Sequence, residues 1–144
     1  MRSEVLTYQE AGGIYVMDAD GDNVRQLTSG ESFDHSPSFS PDNNTIAFVR
    51  ETYEEATDTY TADIFTVKLD SGAEPTKLTD TPKKYEEPVA FSPDGTQIAF
   101  SKTTYSSRSG SADIFVMRVD GSGVRRITDT RAFEFGPDWQ PIVA

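Results

Sequence analysis

Three carboxylates recur at one place in a repeating pattern. Asp34, Glu86 and Glu134 each stand five residues before an aromatic side chain: Phe39, Phe91 and Trp139. Oxygen donors without thiolates select hard cations, calcium or a trivalent lanthanide. Carboxylates held close together raise one another's pKa unless a cation offsets them. The expectation is a metal site at Asp34, Glu86 and Glu134, with His35 and Glu87, one residue further along, in its outer shell. Lys83 and Lys84 are the closest bases in the sequence. The plain alternative is a set of solvated loop acids.

Other chemistries find little support. His35 is the single histidine and no nucleophile elbow is present, so a Ser-His-Asp set cannot be argued. There is neither a phosphate loop nor a dinucleotide fingerprint. The run DADGDN at 18–23 opens like a calcium loop, but the twelfth position, where that loop needs Glu, is Ser29. It reads as a hairpin turn. The chain has no cysteine, which excludes disulfides and thiolate metal sites.

The elements that would position these acids come from an internal repeat. IYVMDADGDNVRQLT begins at Ile14, IFTVKLDSGAEPTKLT at Ile64 and IFVMRVDGSGVRRIT at Ile114. Each ends in an aliphatic-Thr pair: Leu27-Thr28, Leu78-Thr79, Ile127-Thr128. A Pro-containing segment follows each, and FSPDNNTIAF and FSPDGTQIAF nearly repeat one another. In the N-terminal VLTY, Leu6, Thr7 and Tyr8 stand where Ile46, Ala47 and Phe48 stand. Short alternating segments rich in Val, Ile, Phe, Tyr and Thr predict strands. Pro93, Asp94 and Gly95 predict a tight turn, with Asn43 taking the place of Gly95 in the first copy. The reading is all-β, each repeat a four-stranded antiparallel meander.

The pattern P-x-F-S-P-D-G, then I-A-F, D-I-F-V-M, D-G and L-T resembles the WD40-like PD40 repeat of TolB-type β-propellers over nearly the whole chain. The resemblance implies a β-propeller with three four-stranded blades in this chain. With strands named a to d from the hub outward, blade 1 supplies b to d at 5–28. Blade 2 spans 36–79 and blade 3 spans 87–128. A last strand a, at 136–144, belongs to a first blade.

Three blades splay too widely to close, since propellers have 4–8, and bare strand edges invite pairing. Two chains head to tail complete each other as a six-bladed ring, the blade number the resemblance also implies. The competing arrangement is a piece of a longer chain.

Net charge is −11, with 24 acids against 13 bases. That argues against nucleic acid as the main partner, and no apolar run is long enough to cross a bilayer. The start lacks the apolar core of a signal peptide. The chain as written reads as cytoplasmic, or periplasmic by resemblance if its start is processed. Two b–c loops, 51–63 and 102–113, carry Tyr53, Tyr60 and Tyr105 beside an acidic mouth, which suits a peptide or a basic protein surface. The function expected is non-enzymatic: a homodimeric binding or scaffold module with calcium or another hard cation at its channel. The alternative is a calcium-dependent lactonase- or esterase-like propeller hydrolase, as some six-bladed propellers are.

Overall fold

In a computed structural model of the chain, residues 5–29, 32–70, 72–81, 84–105 and 110–141 are described. Lys83 and Ile142 to Ala144 lie outside them, as do the side chains of Lys84, Glu87 and Tyr105. The described residues form strands and turns, with no helix long and apolar enough to cross a membrane.

The first repeat is β1 (Val5–Glu10), β2 (Gly13–Asp18) and β3 (Arg25–Gln26). The second is β4 (Phe33–Phe39), β5 (Thr45–Glu54), β6 (Thr59–Lys68) and β7 (Thr76–Lys77). The third is β8 (Lys84–Phe91), β9 (Gln97–Tyr105), β10 (Gly110–Arg118) and β11 (Arg125–Arg126). Within each repeat every ladder is antiparallel. Among the described residues one parallel bridge, Ala62 to Tyr85, joins the ladders of repeats two and three.

The turns follow the residues that make them. Gly95 and Asn43 both take positive φ, 71° and 57°, a region that glycine and, less readily, asparagine accept. Ser92 Oγ and the Thr96 N–H both donate to Asp94 Oδ1, and Asp42 does the same work beside Ser40 and Asn44. DADGDN is indeed a hairpin turn: Gly21 has φ 92°, and Asn23 Nδ2 donates to Asp18 Oδ2 at 2.6 Å.

The aliphatic-Thr pairs tie each outer edge to the strand inside it. Thr28, Thr79 and Thr128 Oγ1 accept the backbone N–H of Ile14, Ile64 and Ile114 at 3.0, 2.9 and 2.9 Å. Leu27, Leu78 and Ile127 N–H donate to the same three isoleucine carbonyls. The d strand is thereby pinned although only two residues pair as ladder.

Two apolar cores lie between repeats, as period-two strands buried on both faces require. Ile14 and Val16 meet Ile46, Phe48 and Val67 in one. Ala47 and Ile64 meet Val89, Ile98, Phe100 and Met117 in the other.

Three boundaries differ from the sequence expectation. The segments 51–63 and 102–113 are not open loops: β5 and β6 run on as a ribbon to the turn at 55–58, where Thr and Tyr pair across it, and β9 and β10 pair out to Tyr105 and Gly110. Residues 136–141 form no strand within the chain.

Candidate functional site

The three acids sit where strand a begins, and the backbone places them alike. Asp34 N–H donates to Gly12 O at 2.9 Å and Glu134 N–H to Ala112 O at 2.9 Å. The Ala62–Tyr85 bridge sets Glu86 at the corresponding place. Each strand a thus starts by leaning on strand c of the preceding repeat.

Their side chains have different surroundings. Asp34 is fully buried and takes a two-pronged contact from Arg50, Nε to Oδ1 2.6 Å and Nη2 to Oδ2 2.8 Å. Arg50 also lies over the rings of Phe65 and Phe48, 4.7 and 5.5 Å from their centroids. Its hydrogen bond to Asp34 raises the Arg50 pKa against the opposing effect of burial. Glu86 is equally buried. It forms an ion pair with Lys102 Nζ at 3.2 Å, and accepts from Thr81 Oγ1 at 2.8 Å and from Thr79 Oγ1 in a short contact. Lys83 and the Lys84 side chain, expected as the nearest bases, lie outside the described residues. The described partners are Arg50 and Lys102, sixteen residues on, because the a–b ladder sets Asp34 opposite Arg50 and Glu86 opposite Lys102. A hairpin register, not sequence adjacency, supplies the counter-charge.

Glu134 is half-buried, and its Oε2 accepts no hydrogen bond from any described residue. His35, expected beside a metal, instead places Nε2 3.2 Å from Glu51 and Nδ1 2.9 Å from Ser36 Oγ. Among the described residues no three His, Asp or Glu side chains gather closely enough to hold one metal ion.

Sequence reasoning missed a second tier of acids. Asp63 and Asp113 are buried on strand c. Asp63 pairs with Lys77 at 3.0 Å and accepts the Thr81 N–H; Asp113 pairs with Arg126 at 2.7 Å and accepts the Thr130 N–H. The signal was the run ADIF, present at both 62–65 and 112–115.

On the ribbon, Tyr53 and Tyr60 pack together at 4.7 Å between centroids, both about half exposed. Tyr53 Oη donates to Asp58 at 2.9 Å, which raises the Tyr53 pKa. With Phe33, Glu51 and Thr52 they line a shallow open cleft.

The hub-facing edge is unequal among repeats. Ile46 and Ile98 are 0% exposed, each paired with the strand-a aromatic Phe39 or Phe91. Leu6, their counterpart on β1, is 46% exposed, and β1 pairs only with β2 among the described residues. Trp139 is half-buried against repeat three, its indole N–H donating to Ala90 O at 3.0 Å.

Solved structures share this arrangement. TolB from Acinetobacter baumannii superposes with a TM-score of 0.63 at 22% identity, over 87% of this chain and 30% of that one. A structure assigned to TolB from Agrobacterium tumefaciens gives 0.65 at 22% identity, over 85% and 44%. The fold is that of a TolB-like β-propeller. A puromycin-hydrolyzing peptidase of Mycobacterium tuberculosis also superposes, at 0.61 and 16% identity, over 82% of this chain and 18% of that one. By sequence, the chain is 37% identical over 131 residues to the uncharacterized protein Atu1656 of Agrobacterium fabrum, 89% of this chain and 38% of that protein. It is 29% identical over 106 residues to the uncharacterized peptidase YuxL of Bacillus subtilis, 73% of this chain and 15% of that protein. This propeller segment therefore spans less than half the length of each of these relatives. No protein-family model matches it.

Proposed function

We propose that this chain is a non-catalytic propeller module of three blades that a second copy completes into a six-bladed ring. The observation carrying this is Leu6: it is 46% exposed where Ile46 and Ile98 are fully buried. Repeats two and three cover that position with the aromatic of strand a. Trp139 holds the corresponding place in the tail and faces no strand b among the described residues. Seating the tail of one copy on β1 of the other buries both residues and removes two bare edges. Mass in solution tests it, with a dimer expected.

Ring faces of this kind serve recognition. The cleft of Phe33, Tyr53 and Tyr60 beside Glu51, Glu54 and Asp58 supports a basic peptide segment as the partner, through aromatic contact and cation–π attraction. Titration with a Lys/Arg-rich peptide, against the Tyr60→Ser variant, tests that surface.

A hard cation at Asp34, Glu86 and Glu134 is the competing role for the acids. It would have to displace Arg50 and Lys102, so the ion pairs predict that calcium or a lanthanide raises Tm no more than sodium at equal ionic strength. The peptidase-named relative supports a second reading, in which this segment is the propeller part of a longer hydrolase. An ester, lactone and peptide hydrolysis screen with calcium separates the two.

A further inference from the structure

Repeats two and three carry one charge pattern, and the first repeat breaks it. Ladder register aligns Glu10 on β1 with Arg50 and Lys102, since Glu10 pairs with Gly13 as Arg50 pairs with Asp63 and Lys102 with Asp113. The first repeat thus has Glu10, Gly13 and Gln26 where the second has Arg50, Asp63 and Lys77 and the third has Lys102, Asp113 and Arg126. A Cβ at Gly13 would meet the movable end of Gln26, Nε2, at 2.9 Å and the Thr28 carbonyl at 3.1 Å.

This matters at the seam between copies, and the inference rests on the ring reading above. A strand a laid on β1 in the register of the other repeats pairs Trp139 with Leu6 and Glu134 with Glu10. In repeats two and three that contact is an acid against a base, at 2.6 and 3.2 Å. At the seam it is an acid against an acid. Glu134 reaches it with Oε2 already buried and accepting no hydrogen bond from a described residue.

We propose that closure of the ring is proton-gated at a Glu134–Glu10 contact, each copy supplying one carboxyl. Two apposed carboxylates do not both stay ionised without cost. Taking up one proton converts repulsion into a carboxyl–carboxylate hydrogen bond. The other groups facing the contact do not neutralise it. From repeat three, Thr128 and Thr130 hold the sequence places of Thr79 and Thr81, which meet Glu86, and the Arg126 guanidinium is held by Asp113 and Asp129 at 2.7 and 2.9 Å. From the closing repeat, Gly13 and Gln26 bring no charge.

The test is the dimer dissociation constant of the 144-residue chain at pH 5 and pH 8, by analytical ultracentrifugation. Variants are Glu10→Gln, Glu10→Lys and Glu55→Lys. Glu10 and Glu55 are both exposed in the single chain, so the variants fold. Glu55→Lys controls for the change in net charge. Each unit of pKa displacement at a seam is a factor of about ten in association. The wild type is expected to bind at least about tenfold tighter at pH 5 than at pH 8. Glu10→Gln should flatten that dependence. Glu10→Lys should tighten the dimer at pH 8 by about tenfold, beyond any effect of Glu55→Lys. A dimer whose pH profile is the same in wild type and Glu10→Gln overturns the proton-gated contact and leaves the ring. Monomers under every condition, Glu10→Lys included, overturn both.

Discussion

Arg50 reaches back across the β4–β5 ladder to grip Asp34 with two nitrogens, at 2.6 and 2.8 Å, and Lys102 stands in the same relation to Glu86 one repeat later. Both carboxylates are fully buried, while Arg50 is 19% and Lys102 11% exposed. Removing the base from such a pair strands a buried charge. Arg50→Met should therefore destabilise the chain by about 3–5 kcal/mol. The double variant Asp34→Leu with Arg50→Met should recover much of that loss, because no charge is left unpaired. Urea unfolding of the three proteins checks both expectations.

The threonines that end each repeat should not be equivalent. Thr28 and Thr79 each accept an isoleucine N–H, but Thr79 also donates to Glu86. Thr→Val leaves a buried N–H unpaired in either case, at about 1–3 kcal/mol. Thr79→Val should cost more than Thr28→Val, since it also strips a donor from a buried carboxylate. The comparison of their urea midpoints decides it.

Acid should weaken the fold through the turn aspartates. Hydrogen bonds from Ser40, Ser92 and Ser122 hold Asp42, Asp94 and Asp120 below the usual aspartate range. Their folded pKa is depressed, so the stability they give is fully present above the unfolded value of about 3.9 and is lost as pH falls below it. The contribution of these aspartates to Tm should hold steady down to about pH 5 and drop between about pH 4 and pH 2. Asp94→Asn should make that drop shallower. Ring closure is expected to strengthen between pH 8 and pH 5, the opposite sign in a separate window, so the two effects can be told apart.

The repeated motifs made the strand content and the hairpin turns legible: the Ser-Pro-Asp turns and the aliphatic-Thr ends proved to be hydrogen-bonding devices of fixed geometry. The recurrence of acids at 34, 86 and 134, each five residues before an aromatic, is legible in the sequence. Their surroundings were not legible. A base sixteen residues away becomes a neighbour only once ladder register is known, and register depends on the bulge between His35 and Ser38 and its counterpart between Glu87 and Val89. Asp63 and Asp113 were passed over because an acid inside ADIF looks like the polar half of an alternating strand. Both faces of that strand are buried, so the acid had to find Lys77 or Arg126. The ribbon at 51–63 misled because its charge resembles a loop while its Thr and Tyr content favours pairing.

Leu6 and Trp139 isolate association from folding. Leu6 is exposed in the single chain, so Leu6→Asp should leave the fold intact while weakening the dimer by about a hundredfold or more. Trp139 is the sole tryptophan. Its emission should shift to the blue as the chain is concentrated through its dissociation constant, and Leu6→Asp should remove that shift.

The most direct test of the ring is mass in solution. Native mass spectrometry or light scattering of the wild-type chain at pH 5–6 and tens of micromolar should give twice the 15.9 kDa of one chain, and Leu6→Asp should give that single mass with unchanged circular dichroism. A well-folded wild-type chain that stays at 15.9 kDa across that range would contradict completion by a second copy.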